Sequence, residues 1–254
     1  MNEQRFTGKV ELYRKYRPSY PKEFVDYLYT QIGFTHMSTI ADIGAGTGIF
    51  SRLLLERGSK VYAVEPNDDM RAVAIDDLSE HNNFFPVAAT AEYTGLNDKS
   101  VDYITVAEAF HYFDKKRFKL ECQRILKSGG SLVITWNSVD RNSPLIQKSS
   151  VIIEKYRIDD KSAYRQSGSQ NDFSDLFLNG NYGYMTFKNY LYEDRERFIG
   201  GNLSAGYAPI EKTYPKEYDG FVKELNTLFD KYSNDGIIRF PFITKSHVGV
   251  VDYN

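Results

Sequence analysis

Residues 40–48 read Ile-Ala-Asp-Ile-Gly-Ala-Gly-Thr-Gly, an apolar run that ends in glycines at three alternate positions. Such a turn brings bare backbone against a ligand, because glycine tolerates positive φ and has no side chain to hold the ligand off. The stretch after it, Ile49 to Arg57, reads as a helix whose first amides and dipole favour an anionic or zwitterionic group. A second chemical residue stands downstream, where the apolar run Lys60 to Val64 ends in Glu65. In doubly wound folds an acid in that place accepts hydrogen bonds from both hydroxyls of an adenosine ribose. The ordinary alternative is a solvated loop acid, and the glycines upstream weigh against it. Pro66 then breaks the strand, Asn67 is placed to cap the next helix, and Asp68 and Asp69 fall in its first turn, where negative charge is favoured.

The glycine spacing separates two classes of cofactor. A dinucleotide site wants G-x-G-x-x-G, whose last glycine permits close helix packing beside a pyrophosphate. Here Gly44, Gly46 and Gly48 make G-x-G-x-G behind Asp42. This resembles motif I of the class I S-adenosylmethionine-dependent methyltransferases. Two further segments resemble the family's next motifs. A strand over Phe84 to Ala89 leads into Thr90-Ala91-Glu92, and another over Val101 to Ala107 leads into Glu108-Ala109-Phe110-His111-Tyr112. The run Cys122-Gln-Arg-Ile-Leu-Lys-Ser-Gly-Gly-Ser-Leu-Val-Ile matches the family's helix, Gly-Gly turn and apolar strand. Upstream, Tyr13-Arg-Lys-Tyr-Arg-Pro-Ser-Tyr-Pro21 is similar to the leading segment of type 11-like small-molecule enzymes related to the trans-aconitate and ubiquinone-pathway methyltransferases.

The resemblance implies S-adenosyl-L-methionine as cofactor and a specific set of contacts. Asp42, Gly44, Ala45, Gly46 and Gly48 would form the turn around it, with Glu65, Pro66 and Met70 at the ribose. Ala91 and Glu92 would line the adenine, while Ala107, Glu108 and Phe110 would lie beside the methionine part. Tyr16 and Tyr20 would belong to an aromatic segment folded over the cofactor, since aromatic faces attract a sulfonium cation and exclude water from it. Part of an aromatic-rich surface is the competing reading for each tyrosine. The acceptor is expected between His111, Trp136, Asn137 and a lid.

The elements that must position these residues follow from periodicity. The leading helix opens at Pro21, a first-turn position, and carries Phe24, Leu28 and Ile32 on one face. A helix over Asp114 to Lys127 has Phe118, Cys122 and Ile125 on one face, with Gly129 as its stop signal and strand five over Ser131 to Trp136. From Asp140 to Tyr184 the chain turns polar, rich in Ser, Asn, Gln and Tyr, and is expected to be a lid of short helices. Strand six (Tyr184 to Tyr192), a short helix (Asp194 to Asn202), a long helix (Pro215 to Tyr232) and a last strand (Ile237 to Val251), bent near Pro241, complete the chain. The expected fold is α/β, a Rossmann-like doubly wound seven-stranded sheet with a C-terminal antiparallel hairpin and a helical lid insertion. Its strand order, 3-2-1-4-5-7-6, is implied by the resemblance alone. The expected organisation is a single domain over 1–254. It divides into a cofactor cover and first helix (1–38), a cofactor-binding core (39–137), a lid and substrate region (138–183) and C-terminal helices and strands (184–254).

Composition bounds the rest. The chain has 254 residues, 41% of them hydrophobic, enough to bury a full core. A formal net charge of −2 leaves no global basic field of the kind that draws a protein to nucleic acid, so none is expected as a partner. The single cysteine, Cys122, cannot form an internal disulfide and reads as a buried small hydrophobe. No apolar run approaches membrane-spanning length and the polar first residues are unlike a secretion signal, which together predict a cytoplasmic protein without a membrane partner. Either a monomer or a homodimer fits.

For the chemistry, His111 is the candidate base, because it follows the fourth strand, where acceptor should meet cofactor, and imidazole titrates near neutral pH. The alternative is that Phe-His-Tyr-Phe only shapes the pocket. The four histidines have no H-x-x-x-H or cysteine partners, so no metal is expected, and there is neither a G-x-S-x-G elbow nor a Walker lysine. The reading is methyl transfer to an oxygen, nitrogen or carbon nucleophile of a small molecule. The alternatives are a nucleotide-cofactor oxidoreductase, to which the missing sixth-position glycine is the main objection, and an S-adenosylmethionine-binding protein without transfer activity.

Overall fold

The computed structural model describes residues 18–158, 173–205 and 207–253. The strands among them are β1 (Thr39–Ile43), β2 (Lys60–Val64), β3 (Phe84–Val87), β4 (Val101–Ala107), β5 (Leu126–Val139), β6 (Gly183–Glu193) and β7 (Ile238–Val250). They form one sheet in the order β3-β2-β1-β4-β5-β7-β6. Its first five strands pair in parallel, and β7 runs antiparallel to both β5 and β6. The order is the one the resemblance implies.

The parallel strands are short apolar runs because helices cover both of their faces. On one side α1 (Lys22–Tyr27) runs on through a wider turn, Leu28–Ile32, to Gly33, and α2 (Ile49–Leu55) follows β1. Phe24, Leu28, Phe50 and Leu54 of these helices pack on Ile40, Val61 and Val133. The other face carries α4 (Lys115–Ile125), whose Phe118, Cys122 and Ile125 meet Ile104, Val106 and Ile134. On the same side as α1 and α2, α3 (Asp68–Leu78) adds Ala74 and Leu78 to that core and links β2 to β3, with the Asn67 side chain accepting the Met70 amide at 2.9 Å. That is the cap expected of an Asn placed ahead of two acids.

Several boundaries differ from the sequence reading. Pro21 stands at the N-cap of α1 with extended backbone, one position before the first turn. Helix α4 stops at Ile125, because Leu126 is already extended and pairs with Val101. Gly129 therefore ends no helix. It lies in an irregularity of β5, where the register passes from Val101↔Leu126 to Tyr103↔Ser131. Cross-strand pairing won over the local stop signal.

The stretch expected as a lid of short helices contains one 13-residue helix, α5 (Pro144–Tyr156), in its described part; residues 159–172 lie outside the described residues. Leu145 and Ile152 of α5 share a separate core with Phe198 of α6 (Arg195–Leu203), with Phe221, Leu225 and Phe229 of α7 (Pro215–Tyr232), and with Ile238 of β7. Phe173, Leu176 and Phe177, also assigned to the lid, are core residues beside Ile134. Their apolar side chains gain more from the sheet face than from the rim of a crevice.

Candidate functional site

The glycine turn sits at the C-terminal edge of the sheet, between the ends of β2 and β4. Val64 carbonyl oxygen accepts the Gly44 and Ala45 amides at 2.9 and 3.1 Å, which pins the start of the turn to the neighbouring strand. The three glycines do different work. A Cβ on Gly44 would lie 2.4 Å from the Ala109 Cβ, so this glycine lets the turn touch the loop after β4. One on Gly48 would lie 2.6 Å from Leu78 of α3. On Gly46 the nearest atom is the Met70 sulfur at 3.8 Å, an ordinary contact, and the backbone there lies at φ +57°. Next to it, the Thr47 hydroxyl is buried without a hydrogen-bond partner.

Asp42 lies beneath the turn, 1% exposed. The Ser51 hydroxyl donates to its Oδ2 at 2.6 Å and the Thr105 hydroxyl to its Oδ1 at 2.8 Å. Both oxygens are thus engaged inside the protein, and Asp42 ties β1, β4 and α2 together below the backbone of the glycine turn. Burial pushes its carboxyl up to about 6, the two hydroxyls oppose the shift, and the charge of Glu65 adds to it. A carboxyl raised above its usual value keeps a proton in the folded chain that the unfolded chain has lost. Its stability cost therefore grows as pH rises from about 4 to about 6 and is complete above that. Asp42→Asn is expected to raise the melting temperature at about pH 8 and to leave it nearly unchanged at about pH 4, as read by thermal melts at both values. An equal change at the two would mean that burial does not set this titration.

Glu65, 8% exposed, closes the other side of the turn. Its Oε2 accepts the Gly46 amide and its Oε1 the Asn67 amide, both at 2.9 Å. Pro66 separates those two contacts, and Met70, 4% exposed, packs under them from α3. Ala91 is buried after β3, while half-buried Glu92 accepts the Asp114 amide at 2.9 Å. Half-buried Ala107 ends β4, and Glu108 follows at φ +62°, a conformation that costs a non-glycine residue on the order of 1 kcal/mol. It is held there by its amide donating to Thr135 carbonyl oxygen at 3.0 Å and by its Oε1 accepting the Asn137 amide at 2.5 Å. Phe110 is fully buried, edge-on to Trp136. His111, on the short turn Phe110–Tyr112, is exposed on the outer rim, with its ring against Tyr112.

Not all predicted residues converge. Tyr16 lies outside the described residues. Tyr20 packs into the core, its ring 4.9 Å from that of Phe50 on the helix after the glycine turn. Trp136 stacks on Phe173 at 5.6 Å and joins the aromatic core with one edge. Asn137 has its amide committed: Nδ2 donates to Ser19 carbonyl oxygen at 3.2 Å, and Oδ1 accepts from Asn189 Nδ2 at 3.1 Å and from the Thr244 hydroxyl at 2.5 Å. It joins the leading segment to β5, β6 and β7. Ser51, Thr105, Thr47 and Asn189 were not visible as site residues. Nothing local marks them, since their partners lie on other elements.

Among the described residues no group of three His, Cys, Asp or Glu could hold a metal ion, and no helix is long and apolar enough to cross a membrane.

Residues 41–134 match a family described as a methyltransferase domain. An uncharacterized methyltransferase of Mycobacterium tuberculosis is 36% identical over 148 residues, which cover 58% of this chain and 58% of the relative. The match thus spans little more than half the length of that relative. An uncharacterized methyltransferase of Schizosaccharomyces pombe is 25% identical over 254 residues, covering 91% of this chain and 97% of its own. In fold, the chain is similar to a proposed type II methyltransferase of Anaeromyxobacter dehalogenans, with a TM-score of 0.67 at 19% identity over 92% of this chain and 98% of the other.

Proposed function

We propose that this chain, whose residues 41–134 match a methyltransferase domain, is a class I S-adenosylmethionine-dependent enzyme that transfers a methyl group from S-adenosylmethionine to an oxygen or nitrogen nucleophile of a small-molecule acceptor. The observation that carries this reading is the Glu65 carboxylate set against the bare backbone of Gly46. The residues there fit the cofactor on three counts. A Cβ on Gly46 would meet nothing nearer than the Met70 sulfur at 3.8 Å, the neighbouring Thr47 hydroxyl is an orphaned buried donor, and two backbone amides fix the Glu65 carboxylate beside the turn.

When bound, the cofactor supplies a methyl group on an already cationic sulfur. The protein has then to hold an acceptor in line and keep water away. Glu65 orients the ribose, Met70 and Ala91 provide apolar walls, and the Glu108–Asn137 contact fixes the loop on which Phe110 and His111 stand. His111 takes the proton of an acceptor that arrives protonated. Its exposed position gives that proton a direct route to solvent.

Calorimetry with S-adenosylmethionine, its demethylated product and NADH tests the cofactor, with binding of the first two and none of the third expected; the reverse would overturn the reading. A labelled-methyl screen against metabolite extracts tests transfer. His111→Ala is expected to lower kcat roughly 100-fold or more with cofactor affinity unchanged. Retention of most of the rate by His111→Gln would mean that the ring only shapes the pocket.

A further inference from the structure

Cross-strand register places two lysines beside Trp136. Trp136 pairs with Lys245 of β7, and Lys245 with Thr186 of β6; one step further out, Ser138 pairs with Ile243 and Ile243 with Lys188. Directly paired residues share a sheet face, so Trp136, Lys245 and Lys188 lie on one side, the two lysines as diagonal neighbours on adjacent strands. Lys245 is half-buried and Lys188 exposed, and neither has a carboxylate partner within ion-pair distance among the described residues. Two like charges this close repel each other unless an anion lies between them.

The same strip continues into an aromatic wall. His247 pairs with Ile134 and with Tyr184, and its ring lies 4.5 Å from Phe173, 4.9 Å from Tyr184 and 6.0 Å from Trp136. Burial, with the charge of Lys245, pushes its pKa down to about 4, so at neutral pH it adds a flat uncharged surface and no cation. The strip is continuous with the proposed site, because Thr135 pairs with Ala107 at the end of β4 and Trp136 is the next residue. Two strand spacings separate β4 from β7, about 10 Å. A lysine side chain reaching back over Trp136 covers much of that distance.

We propose that this strip is the acceptor subsite for a small molecule carrying an anionic group, a carboxylate or a phosphate. Lys245 and Lys188 hold the anion, while the unsaturated or apolar body lies against Trp136 with its nucleophile toward the end of β4. This rests on the methyl-transfer reading for the role of the site, and Lys245 acts as a specificity-determining residue in it.

Trp136 is the chain's one tryptophan, so intrinsic fluorescence reports on the subsite directly. The experiment titrates the full chain, saturated with S-adenosylhomocysteine, with two matched pairs: cinnamate against cinnamamide, and phenyl phosphate against phenol. At least one anion is expected to change the Trp136 emission at roughly tenfold lower concentration than its neutral partner, the scale of one charge-assisted contact. Which pair responds separates carboxylate from phosphate. Lys245→Met should abolish the preference, Lys188→Met should weaken it, and Lys245→Arg should restore most of it; none should alter S-adenosylhomocysteine affinity. If anion and neutral analogue act alike, if no anion moves the emission, or if Lys245→Met keeps the preference, the proposal is overturned. Failure of S-adenosylhomocysteine to bind the parent would instead sink the methyl-transfer reading, and calorimetry distinguishes that case.

Discussion

Gly46→Val is expected to bind S-adenosylmethionine at least roughly 100-fold more weakly than the parent while remaining folded, a loss of about 2.7 kcal/mol or more. The nearest atom to a Cβ there is the Met70 sulfur at 3.8 Å, an ordinary contact, so the first side-chain carbon meets no clash and the methyl groups beyond it are expected to intrude on the space proposed for the ligand. The backbone at φ +57° does resist a branched residue, by on the order of 1–2 kcal/mol. In a chain this size that strain lowers the melting temperature by only a few degrees. Binding should therefore fall far more than stability. Glu65→Ala makes the complementary change, since it removes the carboxylate that holds the Gly46 and Asn67 amides and faces the proposed ribose, at an expected cost of about 1–3 kcal/mol in affinity. Calorimetry on both variants, with circular dichroism melts as the control for folding, checks this. Parent-like affinity in both would move the cofactor site elsewhere.

Gly44→Ala, two residues away, is expected to do the opposite and unfold the protein at much lower temperature. The added Cβ would stand 2.4 Å from the Ala109 Cβ and 3.3 Å from the Phe113 ring, and neither can turn aside: the first belongs to a residue with no side-chain torsion. Phe113 in turn packs on Phe118 in the core. Relief requires the loop after β4 to shift, and with it Glu108, whose left-handed backbone is held between Thr135 and Asn137. Overpacking of this kind costs about 1–3 kcal/mol, and the φ of +71° adds on the order of 1–2 kcal/mol for any side chain. The melting temperature should drop by roughly 10 °C. Ala109→Gly in the same chain removes the opposing Cβ and should recover more than half of that loss. A double variant no more stable than Gly44→Ala would show that backbone strain dominates over the contact. These two glycines look alike in the sequence and are expected to differ in what their loss destroys.

That contrast marks the boundary of what could be read from the chain alone. The β1–turn–α2 unit, Glu65 at the end of β2, the Asn67 cap and the apolar face of α4 were all legible, because each is a local pattern: strand alternation, helical spacing, or a residue type that only a turn or cap requires. The strands β2 and β4 and the helix α7 fall at the residues expected from periodicity. Strand order was not local information and came from the resemblance. Gly129, in contrast, carries a helix-stop signal that the pairing of Leu126 with Val101 overrides.

Only the tertiary structure decided which polar residues are engaged with one another inside the protein. Asp42 and Asn137 looked like ligand contacts, yet the first spends its oxygens on Ser51 and Thr105, and the second joins Ser19, Asn189 and Thr244. Buried polar groups must find partners, and these partners are up to 118 residues away in the chain for Asn137. The lysines beside Trp136 were invisible for the same reason. Periodicity states which face of its own strand a residue occupies, but which residue of another strand lies beside it is set by register between β5, β6 and β7, and register is a property of the assembled sheet.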